Sequence, residues 1–360
     1  MQITQPVWVI GMMSGTSLDG VDAALIRTDG EEVVETGPYI ALEYPREFRR
    51  SLRRLLNGDG DEVTLARELT LHHASAVEAL IEKAAMPRSA IALIGMHGQT
   101  VWHKPQSRKT KQIGDANWLA MRTGIPVVHD FRANDMANGG QGAPFVPLYH
   151  AALAADFEKP LAVINIGGVS NITYINGPDE ILAFDCGMGN ALMDDWVAEH
   201  TEASFDEDGK AAASGVADMA RVDNIMTHPF FETLPPKSLD RLDFNAEFIR
   251  GMGYENGLAT LAAFTAQGIL HGLSQMPAPP KRVLVSGGGR RNLHLMQLLD
   301  EGLPGIAVDP VRAVGWDGDM LEAQAFAFLA ARSVRGMPLS IPGTTGVSSP
   351  TTGGVLIEAA

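Results

Sequence analysis

Leu161-Ala162-Val163-Ile164-Asn165-Ile166-Gly167-Gly168-Val169-Ser170-Asn171-Ile172-Thr173-Tyr174-Ile175 decides the fold. A mostly apolar run, Leu161 to Ile166, meets a glycine pair and a second run follows. The stretch therefore reads as strand, tight turn and returning strand. The same form stands near the start of the chain, where residues 7–10 end in the glycine-rich stretch 11–20 and residues 21–27 return. Two such beginnings suggest a duplicated architecture, even though the stretches share too little sequence to count as a repeat.

Outward from these hairpins, strands alternate with helices. Helical periodicity runs through residues 46–56 and 63–86, with Leu65, Leu69, Val77, Leu80 and Ile81 in step before Pro87 stops the second segment. Residues 91–96 and 125–128 read as buried strands that deliver His97-Gly98-Gln99-Thr100 and His129-Asp130-Phe131-Arg132. Further strands are expected at 181–184 and 282–285, with helices near 148–156, 189–200, 258–273, 292–300 and 318–334. This order makes the class α/β with mixed sheets. A chain of 360 residues exceeds what one core usually organises, so two domains flanking a cleft are expected. The first spans residues 1–132, with 335–360 returning to it. The second spans 133–334 and includes a polar, lid-like insertion at 203–247.

The formal charge of -15 repels phosphodiester backbones and anionic membranes, and no cluster of Lys and Arg with interleaved aromatics overrides it. Nucleic-acid and membrane partners are not expected. A single cysteine, Cys186, forms no intrachain disulfide, the first residues lack a basic secretory n-region, and no apolar run approaches the roughly 20 residues of a membrane span. A cytoplasmic location is the expectation.

Three glycine turns each follow an apolar strand: Gly11 to Asp22, Gly167-Gly168, and Gly287-Gly288-Gly289. Backbone N–H groups of such turns approach phosphate oxygens closely, and hydroxyl side chains add donors. Any one of them is equally a plain tight turn in which glycine only supplies positive φ. Arg291, Asn292 and the helix behind the third turn offer donors for an adenosine. No P-loop lysine motif and no protein-kinase motif set is present. Asp185 ends the run 181–184 beside Cys186-Gly187-Met188-Gly189-Asn190. On position alone a proton-accepting carboxylate and a turn aspartate are level. The neighbouring acid raises a thiol pKa, so Cys186 reads as a packing residue. His97 and His129 are polar strand-end residues suited to a sugar or to the core, and Arg132 suits either a substrate carboxylate or Asp130. No histidine spacing points to zinc.

Taken together, 11–22 (GMMSGTSLDGVD), 98–100 (GQT), 129–132 (HDFR), 139–147 (GGQGAPFVP), 165–171 (NIGGVSN), 184–190 (FDCGMGN), 235–238 (PPKS), 243–245 (DFN) and 285–292 (VSGGGRRN) closely resemble the anhydro-N-acetylmuramic acid kinase family, over essentially the whole chain. The resemblance implies two actin-like (ribonuclease H-like) domains with mixed sheets flanking a central cleft. It also implies an ATP-dependent reaction that opens 1,6-anhydro-N-acetylmuramic acid with water and phosphorylates O6, in cell-wall recycling. By the same carry-over Asp185 activates the water. Gly15, Thr16, Ser17, Leu18, Asp19, Gly20, Val21 and Asp22 contact the nucleotide phosphates, and Gly167, Gly168, Gly287, Gly288, Gly289 and Asn292 complete the ATP site. Mg2+ bridges the phosphates, with Glu322 as the acid near metal and substrate. His97, Gln99, Asp130, Arg132 and Glu322 line the substrate, and the family habit implies a homodimer. The chain departs from the family pattern at Leu239-Asp240, where Thr-Gly is expected, and at Cys186 and Met188.

Overall fold

The computed structural model describes residues 3–359 apart from Thr16, Asp179 and residues 240–242. Its strands, in chain order, are β1 (Val7–Ser14), β2 (Gly20–Thr28), β3 (Val33–Glu43), β4 (Ile91–Lys104), β5 (Lys109–Ile113), β6 (Val127–His129), β7 (Leu161–Ile166), β8 (Val169–Ile175), β9 (Ile181–Met188), β10 (Arg282–Ser286), β11 (Ala307–Pro310) and β12 (Val355–Ile357). The chain forms two compact units, Met1–Ala155 with Met320–Ala360, and Asp156–Asp319.

In the first unit β1, β2 and β3 form an antiparallel meander, β4 joins β1 in parallel, and β6 joins β4 in parallel. The order is β3-β2-β1-β4-β6, with β12 on the far edge and β5 paired to the end of β4. The two-residue period of a strand sorts the faces. Ile10 and Met12 of β1 and Leu25 of β2 meet Leu52, Leu69 and Val77 on one side. Gly11 of β1 turns to the other side, where the helix Leu321–Val334 lies on the sheet. Gly11 and Gly95 are register partners across β1 and β4 and form the floor under that helix. A Cβ on Gly11 would stand 1.8 Å from Ala323 O, and one on Gly95 would stand 2.1 Å from Phe326 O.

The second unit repeats the plan. Strands β7, β8 and β9 are antiparallel, β10 is parallel to β7 and β11 parallel to β10, giving β9-β8-β7-β10-β11. Both sheets thus carry the strand order of the actin-like (ribonuclease H-like) unit, which the family resemblance implied. The long helix Tyr254–Ser274 is apolar around most of its surface and packs on β8 and β9, with Leu261, Phe264 and Ile269 in the core.

Two expectations differ from what the chain forms. The division falls after Ala155 and after Asp319, not after 132 and 334. The reason is packing within the first unit. The helix Pro147–Leu153 is tied to Leu321–Val334 by Tyr149, whose hydroxyl donates to Gln324 Oε1 at 2.9 Å and whose ring meets Phe328. Residues 203–247 are also more than a polar lid. Their short helices Lys210–Ser214, Met219–Ile225 and Pro229–Glu232 bury Ala212, Val222 and Phe231 in the same core cluster as Phe264.

Candidate active site

The glycine turns separate into positions that the fold requires and positions that it does not. Gly287 has φ +75 and a Cβ there would lie 2.5 Å from Ile166 O; a Cβ on Gly289 would lie 2.3 Å from Ile166 Cγ2. Backbone geometry and packing demand glycine at both. At Gly167, Gly168 and Gly288 the nearest atoms to an added Cβ are 3.6 Å away, an ordinary contact. Among the described residues nothing crowds out a side chain there, and bare backbone is left open to a close-approaching group. Asn190 braces the turn after β7: its N–H donates to Gly167 O at 2.7 Å and its Nδ2 donates to Ile166 O at 3.0 Å.

In the first unit the β1–β2 turn has the same character at Gly15, where an added Cβ would meet only Ser17 Oγ at 3.5 Å. Ser17 Oγ donates to Asp19 Oδ1 at 2.6 Å, and Leu18 is buried with φ 58. Gly20 is structural, since its Cβ would strike Leu42 O at 2.4 Å. Val21 is buried in the core and Asp22 lies on β2 opposite Met13. Thr16 lies outside the described residues.

Beside Gly288 is a pocket of about 370 Å3, lined by Asn190, Met193, Phe205, Arg291 and Asn292 with a rim of acids that includes Glu207. Phe205 is 60% exposed, an open aromatic face on the pocket wall. Asn292 is partly committed elsewhere: its Oδ1 accepts from Leu295 N at 2.9 Å as the N-cap of the helix Leu293–Gly302. Arg290 holds the turn in place, donating to Gly287 O at 2.6 Å and to Asp319 Oδ2 at 2.7 Å.

Asp185 is not at a strand end. β9 continues to Met188, and Asp185 stands inside it at a bulge, because Asn171 of β8 pairs with Asp185 while Ser170 pairs with Gly187. A bulge of this kind re-aims the side chain next to it. β9 is the sheet edge, and the segment carrying Pro235-Pro236-Lys237 covers it. The Asp185 N–H donates to Lys237 O at 2.9 Å, and the Leu239 N–H donates to Asp185 Oδ2 at 2.8 Å. Lys237, 6% exposed, anchors that segment by donating to Phe230 O at 3.1 Å with its ammonium over the Phe230 ring. Removal from water pushes the Asp185 carboxyl up to about 7, against the single opposing N–H from Leu239. Cys186 is buried, donates to Ser170 O at 3.3 Å and has a thiol pushed up by burial and by Asp185, as befits a packing residue.

A second polar cluster belongs to the first unit. Arg132 donates to Gly142 O and toward His97 Nε2. Burial lowers its guanidinium to about 10, while the charges of Glu322 and Asp135 act the other way. Asp135, buried, accepts from Gly142 N at 2.6 Å and from Thr345 Oγ1 at 2.5 Å and so braces the loop that Arg132 touches. Glu322, in the first turn of Leu321–Val334, is open to solvent at its side chain. The surrounding protein mass nevertheless raises its carboxyl, and Arg132 offsets part of that rise. Gln99 is fully enclosed: its Oε1 accepts from Ser14 Oγ at 2.6 Å, and Ser14 Oγ accepts from the Tyr44 hydroxyl at 2.9 Å. Asp130 is exposed with φ 53 and shares no hydrogen bond or ion pair with Arg132. Ser14, Tyr44, Asp135 and Phe205 carry no signal in the sequence that separates them from ordinary core, loop or surface residues.

Among the described residues no group of three or more His, Cys, Asp and Glu side chains could hold a metal ion, and no helix is long and apolar enough to cross a membrane. Two ribonuclease H-like sheets, each led by a hairpin with an uncrowded glycine in its turn, make this an actin-like protein. The family model described as anhydro-N-acetylmuramic acid kinase matches residues 7–359. Proteins of that name from Acidiphilium cryptum and Rhodospirillum rubrum are 51% and 49% identical to the chain, covering 97% and 98% of it and 98% and 95% of their own lengths. The chain belongs to the anhydro-N-acetylmuramic acid kinase family.

Proposed function

We propose that the protein converts 1,6-anhydro-N-acetylmuramic acid, water and ATP into N-acetylmuramic acid 6-phosphate and ADP, with Asp185 as the base that activates the water. The observation that carries this reading is the carboxyl of Asp185, held at a bulge by one N–H and raised to about 7. A base of that strength accepts a proton from water far better than an ordinary aspartate does, and much of it is still ionised near neutral pH. The water oxygen bonds to C1 as its proton passes to Asp185. The C1–O6 bond breaks with its electron pair going to O6, and O6 then takes the γ-phosphoryl group as ADP leaves. The anhydro sugar has no free hydroxyl at C6, so opening the bridge creates the acceptor.

The bare backbone at Gly15, Gly167, Gly168 and Gly288 supports contacts to the triphosphate, and the pocket beside Gly288 supports the nucleoside, with Phe205 and Arg291 as its flat walls. Arg132 is the partner for the lactyl carboxylate. A Mg2+ that arrives on the nucleotide keeps mostly water and phosphate oxygens and needs only one or two carboxylates. The exposed acids Asp19 and Glu322, with Asp22, have suitable chemistry for that. Such an ion would neutralise charge on the transferring group. We also place the enzyme in the cytoplasm as a homodimer; a monomer mass in light scattering would count against the dimer.

The test is ADP release by the purified protein with and without the anhydro sugar. Sugar-dependent release is expected, and ATP binding without it would indicate a regulator that uses this fold as a switch. Gly288→Ala probes the phosphate cradle separately. Its Cβ has room, so the thermal midpoint should stay while the KM for ATP rises about 10- to 100-fold. Gly289→Ala should instead lower the midpoint, since its Cβ meets Ile166. An unchanged KM in Gly288→Ala would remove that turn from the nucleotide site.

A further inference from the structure

The sequence suggests His97 as a residue that touches the substrate, but its hydrogen bonds give it other work. His97 is 5% exposed. Its Nδ1 lies 2.8 Å from Gly98 O, and a carbonyl only accepts, so Nδ1 carries the proton. The lone pair is therefore on Nε2. Both Nε and Nη2 of Arg132 donate toward that atom, at 3.0 and 2.9 Å. The ring also packs against Phe326, tilted at 42° with centroids 4.6 Å apart. It is also held neutral, because burial and the Arg132 charge both drive its pKa well below the ordinary value.

A guanidinium has five N–H groups. In Arg132 the inner edge is taken by His97 and one N–H of Nη1 by Gly142 O. One N–H remains on each terminal nitrogen, and no carboxylate is in direct contact with the group among the described residues. A cation held on its inner edge by a neutral acceptor keeps its charge and its outward pair for another partner.

We propose that His97 is a positioning residue: its neutral imidazole fixes the inner edge of Arg132 so that the outward N–H pair receives the substrate carboxylate, and His97 itself does not touch the sugar. The proposal rests on the reading of Arg132 as the carboxylate partner. It makes His97 a determinant of selectivity for a carboxylate-bearing sugar over the same anhydro sugar without the lactyl group.

The experiment compares kcat/KM for 1,6-anhydro-N-acetylmuramic acid and for 1,6-anhydro-N-acetylglucosamine in wild type, His97→Leu, His97→Gln and Arg132→Ala. The ratio of the two values does not depend on how much of a variant is folded. In His97→Leu the guanidinium is free to drift, and the ratio should fall about 100-fold, through the KM of the carboxylate-bearing sugar and not the KM of ATP. His97→Gln keeps an acceptor within reach and should retain most of the selectivity. Should His97→Leu be too unstable to assay, His97→Asn, whose acceptor is too short to reach, takes its place against His97→Gln. Equal losses on both sugars, or an unchanged ratio in His97→Leu, overturn the positioning role. An unchanged ratio in Arg132→Ala overturns the carboxylate reading beneath it, whereas a collapse in Arg132→Ala alone leaves that reading standing without His97.

Discussion

Asp185→Asn is expected to lower sugar-dependent ADP release about 10²- to 10⁴-fold, the usual worth of a positioned base. The amide still accepts a hydrogen bond from Leu239 N–H, so the edge of β9 and its covering segment stay in place. What disappears is the site that takes the proton from water. Stability should move the opposite way. The carboxyl is raised to about 7 in the folded chain, so the folded state keeps its proton after the unfolded state has released it. Stability from this group is therefore highest at acidic pH and falls as pH climbs from the ordinary carboxylate range towards 7. At ~1.4 kcal/mol for each tenfold change, ionising this half-buried group costs at most about 4 kcal/mol. Asn carries no such cost, so the variant should melt higher than wild type at pH 8 and show no gain near pH 4. For the wild type, kcat/KM for the sugar should rise with pH along a limb centred near 7. A variant that melts higher and turns over normally would show that Asp185 is desolvated but not the base.

The largest effect on folding is expected at Gly11→Ala. An alanine Cβ at this position would fall 1.8 Å from Ala323 O and 2.4 Å from Ala327 N, both backbone atoms of a buried helix. No rotamer relieves a Cβ, so the helix Leu321–Val334 must lift from β1 and β4. Overpacking of a core usually costs 1–3 kcal/mol, and because backbone must move here the loss should reach about 4 kcal/mol. It would be read as a lowered urea midpoint. Gly15→Ala, four residues further along in the same motif, has room for its Cβ and should change the midpoint little. If the two variants unfold together, the helix does not rest on Gly11 as described.

These contrasts indicate where sequence is a sufficient guide. Strand cores such as Leu161–Ile166 and the glycine turns after them are legible because apolar runs and glycine act locally. The extent of β9 is not. Asp185-Cys186-Gly187 breaks the apolar pattern, and only pairing with β8 and with Lys237 O keeps the segment extended through Met188. The helices between 203 and 247 are hidden for a similar reason, since isolated apolar residues such as Ala212, Val222 and Phe231 acquire a face only against Tyr254–Ser274. Glycine itself is ambiguous in sequence: Gly288 and Gly289 are neighbours of the same type, yet one is demanded by Ile166 and the other by nothing in the protein. His97 and Gln99 show the same limit for polar groups. Their place at the end of an apolar run suggests a ligand, and nothing in the sequence reveals that Arg132 donates to His97 Nε2 or that Ser14 donates to Gln99 Oε1.

The most direct test of the proposed reaction is to run it in water enriched in oxygen-18 and locate the label in the product at early times. Attack of an Asp185-activated water on C1 predicts one labelled oxygen on the anomeric carbon of the sugar 6-phosphate, an unlabelled O6, and one ADP for each ring opened. A product labelled at O6, or a phosphorylated sugar with its anhydro bridge intact, would contradict the account.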